Sequence, residues 1–329
     1  MRHNLPDTHP QQFLNPPGAY RNRFCVGGVS VQVAAETDAD VGLGSLLDGF
    51  RVQTHPPDIY VHVKWVSRIA ASPGRQLFDS AAVWRLYEHE AGFQFDFSSA
   101  VFGGLPYKRL FVDRHFRSAT LNMSEECFRN IPSVVSPLDY PLDELLIMHR
   151  LTQEKAIELH GCGIVGPNGE SNLFVGHSGA GKSTTTRLWR AHHSVKILSD
   201  DRVIVREHPV RDKEVLKDNL RTNKLREDST QVFMHGTPWH GEACFASPDR
   251  APLRRIFILE HGCGNVITRL SRSQMVAELF ARSFVPFHRH EYVESALTFL
   301  ERVADSVPCY RYAFEPDKRA VDRILNFHD

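Results

Sequence analysis

The sequence predicts an α/β (α+β) protein built from a β-rich N-terminal domain followed by a phosphate-loop domain. Three observations carry this. Ser171–Thr186 reads as apolar strand, glycine-rich loop, helix. The stretch from Phe24 to Val112 shows period-two alternation cut by Gly and Pro pairs. Beyond Ile256, apolar runs alternate with stripes at helical spacing. The expected boundaries are a loose leader over 1–20, a β-rich domain over 21–136 and a phosphate-loop domain over 137–329.

In the leader, Pro, Asn and Gln dominate, and MRHNLPDTHPQQ has no apolar core, so no signal peptide is expected. In the β-rich part, Val29, Val31 and Val33 alternate with Ser30 and Gln32, and Tyr60, His62 and Lys64 alternate with Val61, Val63 and Trp65. Phe93–Phe97 and Leu110–Val112 give further short strands. A mostly antiparallel module is expected, with its aromatic residues in the core and no catalytic constellation. Pro137–Leu146 reads as the hinge, with Pro141 in a first helical turn and Leu142, Leu145 and Leu146 forming a stripe down to Leu151.

Ala156–Val165 is then a strand, Pro167–Glu170 a turn, and Asn172–Val175 the strand returning from it. Such a hairpin differs from the parallel βαβ lead-in of ordinary phosphate-loop GTPases. Val195–Leu198 and Val203–Val205 are short strands, residues 206–230 read as a solvated insertion of mixed charge, and His235–Glu242 is turn-rich. Ile256–Leu259 is a buried strand. Val276, Leu279 and Phe280 line one helix, and Val293, Leu297, Leu300 and Val303 another. Tyr310–Phe314 is a last strand, and Pro316 opens a terminal helix.

Gly176, His177, Ser178, Gly179, Ala180, Gly181, Lys182 and Ser183 match G-x-x-x-x-G-K-[ST], with Thr184 following. Glycines let consecutive N–H groups converge on phosphate oxygens, and the helix adds its N-terminal partial charge. Lys182 is placed to reach the β- and γ-phosphates, and the Ser183 hydroxyl to ligate Mg²⁺. A Gly/Ser connector that binds nothing is the plainer alternative; a chance match in a chain this long has odds on the order of 1%.

Asp200-Asp201 ends an apolar strand shortly after the loop's helix. One carboxylate can hold Mg²⁺ and the other accept a proton from an attacking hydroxyl, or both can be solvated turn residues. His160 lies on the strand before the hairpin, where a lone histidine is more often structural. His240 and Glu242 are candidates from the turn-rich segment, Glu242 as a metal ligand beside Ser183 and Asp200. Arg187, Arg282 and Arg289 are read chiefly as surface residues.

The bulk numbers exclude several classes. The chain has 329 residues, a formal net charge of zero and 42% apolar content, with no basic excess for nucleic acid. No apolar stretch spans a bilayer. Six scattered cysteines form no C-x-x-C pair, so they read as reduced, mostly buried thiols of a cytoplasmic protein. A homo-oligomer is left open.

Leu159-His160-Gly161 before a hairpin into GHSGAGKS, the Leu198–Val203 aspartate pair, and the spacing between them resemble the catalytic domain of HPr kinase/phosphorylase. More broadly they resemble phosphate-loop kinases of the phosphoenolpyruvate-carboxykinase-like fold. The resemblance covers about 140–329. It implies that fold for the C-terminal domain, ATP and Mg²⁺ as cofactors, and phosphorylation of a serine hydroxyl. It further implies Lys182 and Ser183 on phosphate and metal, Asp200 and Asp201 as metal ligand and general base with Asp201 the favoured base, and His160 near the transferred group. The family's glutamate before a glycine-rich turn has no counterpart; His235–Glu242 stands there instead. The N-terminal module does not match that of the HPr enzymes, so HPr is not the expected acceptor. The chain looks more like related serine kinases associated with peptide modification. The expected acceptor is a peptide or protein serine. A small-molecule hydroxyl such as free serine, or a silent ATP-binding regulatory module, are the alternatives.

Overall fold

A computed structural model of the chain describes residues 20–54, 56–72, 74–129, 136–209 and 230–328. The expected leader, apart from Tyr20, and most of the expected charged insertion lie outside the described residues. The chain divides into two compact units, one of Met1–Cys25 with Val29–Asp143, the other of Val26–Gly28 with Glu144–Asp329.

The first unit is one eight-stranded sheet. Its strands are β1 (Tyr20–Val26), β2 (Val29–Ala35), β3 (Ile59–Val66), β4 (Gln76–Asp79), β5 (Trp84–His89), β6 (Gly92–Ser98), β7 (Pro106–Asp113) and β8 (Ser118–Ser124), in spatial order β1-β2-β3-β8-β7-β6-β5-β4. Four neighbouring pairs from β8 to β4 are antiparallel, but β3 runs parallel to both β2 and β8. Period-two patterning sets which face a side chain takes, not strand direction, so the two parallel pairs were not legible. Nor did alternation mean a solvated face in β2. Every residue of β2 is buried, Gln32 accepting from Arg23 and the Ser30 N–H donating to Asp58. A four-residue helix α1 (Glu125–Phe128) follows β8.

The second unit is a mixed sheet with helices on both faces. Helix α2 (Leu142–Leu151) precedes it, with Leu142, Leu145, Leu146 and Leu151 buried as the stripe requires. The hairpin of β9 (Ala156–Val165) and β10 (Ser171–Val175) is antiparallel, with Ser171 opposite Val165 and Val175 opposite Gly161. Helix α3 (Lys182–His192) leads to β11 (Lys196–Ser199), which pairs with β9, and then to β12 (Arg202–Pro209) and β13 (Thr230–His235). β14 (Arg250–Pro252), β15 (Arg255–His261), β16 (Val266–Arg269), α4 (Arg272–Phe280), β17 (Ser283–Phe284), α5 (His290–Ser306), β18 (Cys309–Phe314) and α6 (Lys318–Leu325) complete it. The sheet order is β14-β13-β12-β9-β10-β15-β18-β16, with β10, β15 and β18 mutually parallel.

Successive side chains of β10 feed opposite faces. Leu173 and Val175 join Met275 and Leu279 of α4 and Phe299 and Leu300 of α5. Phe174 joins Trp189 of α3, Phe257 of β15 and Val321 and Ile324 of α6. The parallel strands therefore end at one edge, at Val175, His261 and Phe314, where ligands of α/β sheets bind.

All six cysteines are free. Only Cys162 and Cys309 are buried, and Cys244 and Cys263 are exposed, which corrects the expectation of mostly buried thiols. Among the described residues, no helix is long and apolar enough to cross a membrane.

Candidate functional site

The glycine-rich loop leaves β10 at Gly176 and closes at the first turn of α3. Its shape explains two of its glycines. A Cβ on Gly176 would stand 2.6 Å from Ala180 Cβ, and Gly181 combines φ of +100° with a Phe314 ring atom 2.6 Å from where its Cβ would be. Gly181 supplies no side-chain cap to α3, and no acidic residue occupies the first turn. The first N–H groups of the helix thus carry their partial positive charge without a side-chain acceptor from the cap. His177, Ser178 and Gly179 are exposed; Ala180, Gly181, Ser183 and Thr184 are half-buried.

Lys182 is buried and donates to the Gly176 and His177 carbonyls at 3.0 and 3.1 Å. Its Nζ lies 4.0 Å from Asp201 Oδ1. Burial lowers the Lys182 pKa below the ordinary lysine value, against the opposing pull of Asp201. His160 Nε2 donates to Asp201 Oδ1 at 3.0 Å, since a carboxylate can only accept. Burial alone would raise the Asp201 pKa. The hydrogen bond and charge of His160, with Lys182, outweigh it and hold the carboxyl below its usual range.

Backbone pairing sets this trio. His160 is the register partner of Arg202, and the Gly161 N–H donates to the Asp201 carbonyl at 2.9 Å. The His160 carbonyl accepts from Gly176 N–H at 3.2 Å, so the same residue borders the start of the loop. Arg202 beyond it packs its guanidinium 4.2 Å from the Phe284 ring centroid and ion-pairs with Glu144.

Asp200 is placed differently. Its carboxylate is fully buried and accepts backbone N–H groups from Gly241 at 3.0 Å, Ala243 at 2.8 Å and Phe245 at 3.2 Å. Asp200 was expected on the metal; three of its acceptor positions are taken by the turn-rich segment. Glu242 is exposed, with its backbone carbonyl accepting from Arg187 at 3.3 Å. Among the described residues, no three or more His, Cys, Asp or Glu side chains cluster as a metal site. The half-buried Ser183 hydroxyl could hold Mg²⁺, an ion that takes its other ligands from phosphate and water.

One residue of the loop's surroundings escaped sequence reading, and Arg282, read there as a surface residue, is not one. His261, at the end of β15, places Nε2 2.8 Å from the Gly179 carbonyl. Only the pairing of β15 beside β10 could reveal it. Arg282 is nearly buried and bonded to Glu278; its carbonyl accepts the His160 N–H at 2.8 Å, and its charge is the main cause of a lowered His177 pKa. Arg289 pairs with its neighbour Glu291 on the surface, as expected. A groove of about 500 Å³ lined by Asn168, Arg254 and Phe327 opens at the opposite end of β10 from the loop.

No family model matches the chain, and no curated protein matches it.

Proposed function

We propose that the second unit is an ATP-dependent kinase of the HPr-kinase-like, phosphate-loop type, transferring the γ-phosphoryl group to a hydroxyl, with a serine of a peptide or protein as acceptor. The observation that carries this reading is Asp201: an ionised carboxylate held 3.0 Å from His160 and 4.0 Å from the loop lysine. A phosphate loop alone binds. A fixed carboxylate beside it adds a place for the acceptor proton to go.

In this reading the loop N–H groups and Lys182 hold the phosphates, and Lys182 exchanges its carbonyl partners for phosphate oxygens. Ser183 is the residue that would hold Mg²⁺, with phosphate oxygens and water completing its shell, and the ion would offset charge on the phosphate oxygens. Asp201 accepts the proton of the attacking hydroxyl, and His160 keeps that carboxylate oriented and ionised. The hairpin lead-in of β9 and β10, unlike a parallel βαβ unit, supports the resemblance to that kinase group.

The test is Asp201→Asn. It should leave MgATP affinity within a few-fold and lower phosphoryl transfer by roughly 10²–10⁴-fold, the usual cost of removing a general base. Transfer at the unaltered rate would remove Asp201 from the mechanism.

A further inference from the structure

We propose that Asp200 is a positioning residue whose carboxylate builds residues 241–245 into the acceptor-side wall of the site, leaving the metal to be held without it. This rests on the kinase reading above for the words acceptor and metal, and on geometry for the rest.

Alternate residues Gly241, Ala243 and Phe245 turn their N–H groups inward onto one buried carboxylate. An ionised carboxylate offers about four lone-pair sites, and three are filled here. The remaining site lies on a fully buried carboxylate against Gly241, so a cation could use it only by displacing the segment that covers it. The segment is also fastened at its flanks to the strands bearing the aspartates. Ser247 N–H donates to the Leu198 carbonyl at 2.9 Å, Ser199 bridges to Ala246, and Thr237 Oγ1 donates to the Arg202 carbonyl at 2.7 Å. Gly236 lies so close that a Cβ would stand 2.4 Å from the Leu198 carbonyl oxygen. Arg187 of α3 ties the Glu242 carbonyl to the helix that begins at the loop.

The result is a curled backbone pressed against Asp201. A Cβ on Gly241 would lie 3.1 Å from both Asp200 Oδ2 and Asp201 Cβ, and 3.5 Å from Asp201 Cγ. A hydroxyl reaching Asp201 past this segment meets residues 240–242, so the wall sets which acceptors present their hydroxyl correctly. Asp200 acts on the reaction only through this wall, and Gly241 is the point of closest approach.

The experiment uses the full chain. Hydrogen exchange should show the amides of 241–245 protected in the unaltered protein and exchanging at least about tenfold faster in Asp200→Asn, with the β9–β10 hairpin unchanged. Mn²⁺ affinity in the presence of ATP, read by electron paramagnetic resonance, should stay within about threefold in Asp200→Asn and fall at least about tenfold in Ser183→Ala. Gly241→Ala keeps the Asp200 carboxylate and serves where Asp200→Asn folds poorly. It should lower label transfer to a serine-containing peptide pool about tenfold relative to ATP hydrolysis, at unchanged Mn²⁺ affinity. Loss of Mn²⁺ in Asp200→Asn equal to that in Ser183→Ala, unchanged exchange over 241–245, or an unchanged transfer-to-hydrolysis ratio in Gly241→Ala would each overturn the proposal. If the unaltered protein takes up no Mn²⁺ with ATP, the kinase reading falls and the acceptor and metal roles fall with it; the exchange result then decides only whether Asp200 anchors the segment.

Discussion

Lys182 and Asp201 face each other 4.0 Å apart, one from the helix after the loop and one from the turn after β11. Lys182→Ala should abolish tight MgATP binding in a titration with a fluorescent ATP analogue; unchanged affinity would remove the lysine from the site. Asp201 also fixes a pH response. Its pKa is depressed, so it stays ionised as pH falls, and the transfer rate should hold level until pH falls below the ordinary carboxylate range. His160→Ala removes the hydrogen bond that outweighs burial, so the acidic limb should move to higher pH. A limb that stays in place would mean that His160 does not tune Asp201. The trio was legible because a loop motif and an aspartate pair are local in sequence. The division of labour within the pair was not: which aspartate faces Lys182 depends on N–H groups more than 40 positions downstream, at 241–245.

At the scale of elements, periodicity placed the helices and most strands of the second unit well. Helix α2 spans Leu142–Leu151 as its stripe demands, and α6 starts at Lys318 under an Asp317 cap, two positions past Pro316. β13 was not read as a strand: it falls between the expected insertion ending at 230 and the turn-rich stretch opening at His235, and its alternation is short. The two-residue β17 is too short to carry any periodicity, though it pairs with Leu159 beside His160. The loop glycines were legible as a turn between strand and helix, but the reason Gly181 must be glycine was not, since the Phe314 ring arrives from β18. Gly181→Ala should cost about 1–3 kcal/mol of local strain and weaken MgATP binding, checked by thermal melting and nucleotide titration together. A variant with unaltered melting and affinity would contradict the loop geometry described here.

At the scale of the whole chain, the division into a β-rich part and an α/β part was expected near 136, and the units divide at Asp143 and Glu144. Sheet order and the parallel pairs of β3 depend on long-range pairing that no local pattern encodes. The second unit also buries neutral histidines. His149 is driven down to about 3 by burial and then by His288; His235 is driven to about 3 by burial and then by His208, 2.9 Å away. His288 falls to about 4, again chiefly by burial. Below pH 6.5 the unfolded chain binds protons that the folded one refuses, so stability is full above that value and lost as pH falls toward 4. Each of His149 and His235 contributes up to about 1.4 kcal/mol per pH unit in that window. The urea midpoint should therefore decline steadily from pH 6.5 to 4.5; a flat midpoint would mean that these histidines protonate in place. The most direct test of the central claim is to follow γ-labelled ATP with Mg²⁺, free serine and serine-containing peptides, using Lys182→Ala as the blank. Label on an added hydroxyl is the outcome expected of a kinase. ATP bound and left wholly unconsumed across these acceptors would contradict it and favour a regulatory nucleotide-binding role.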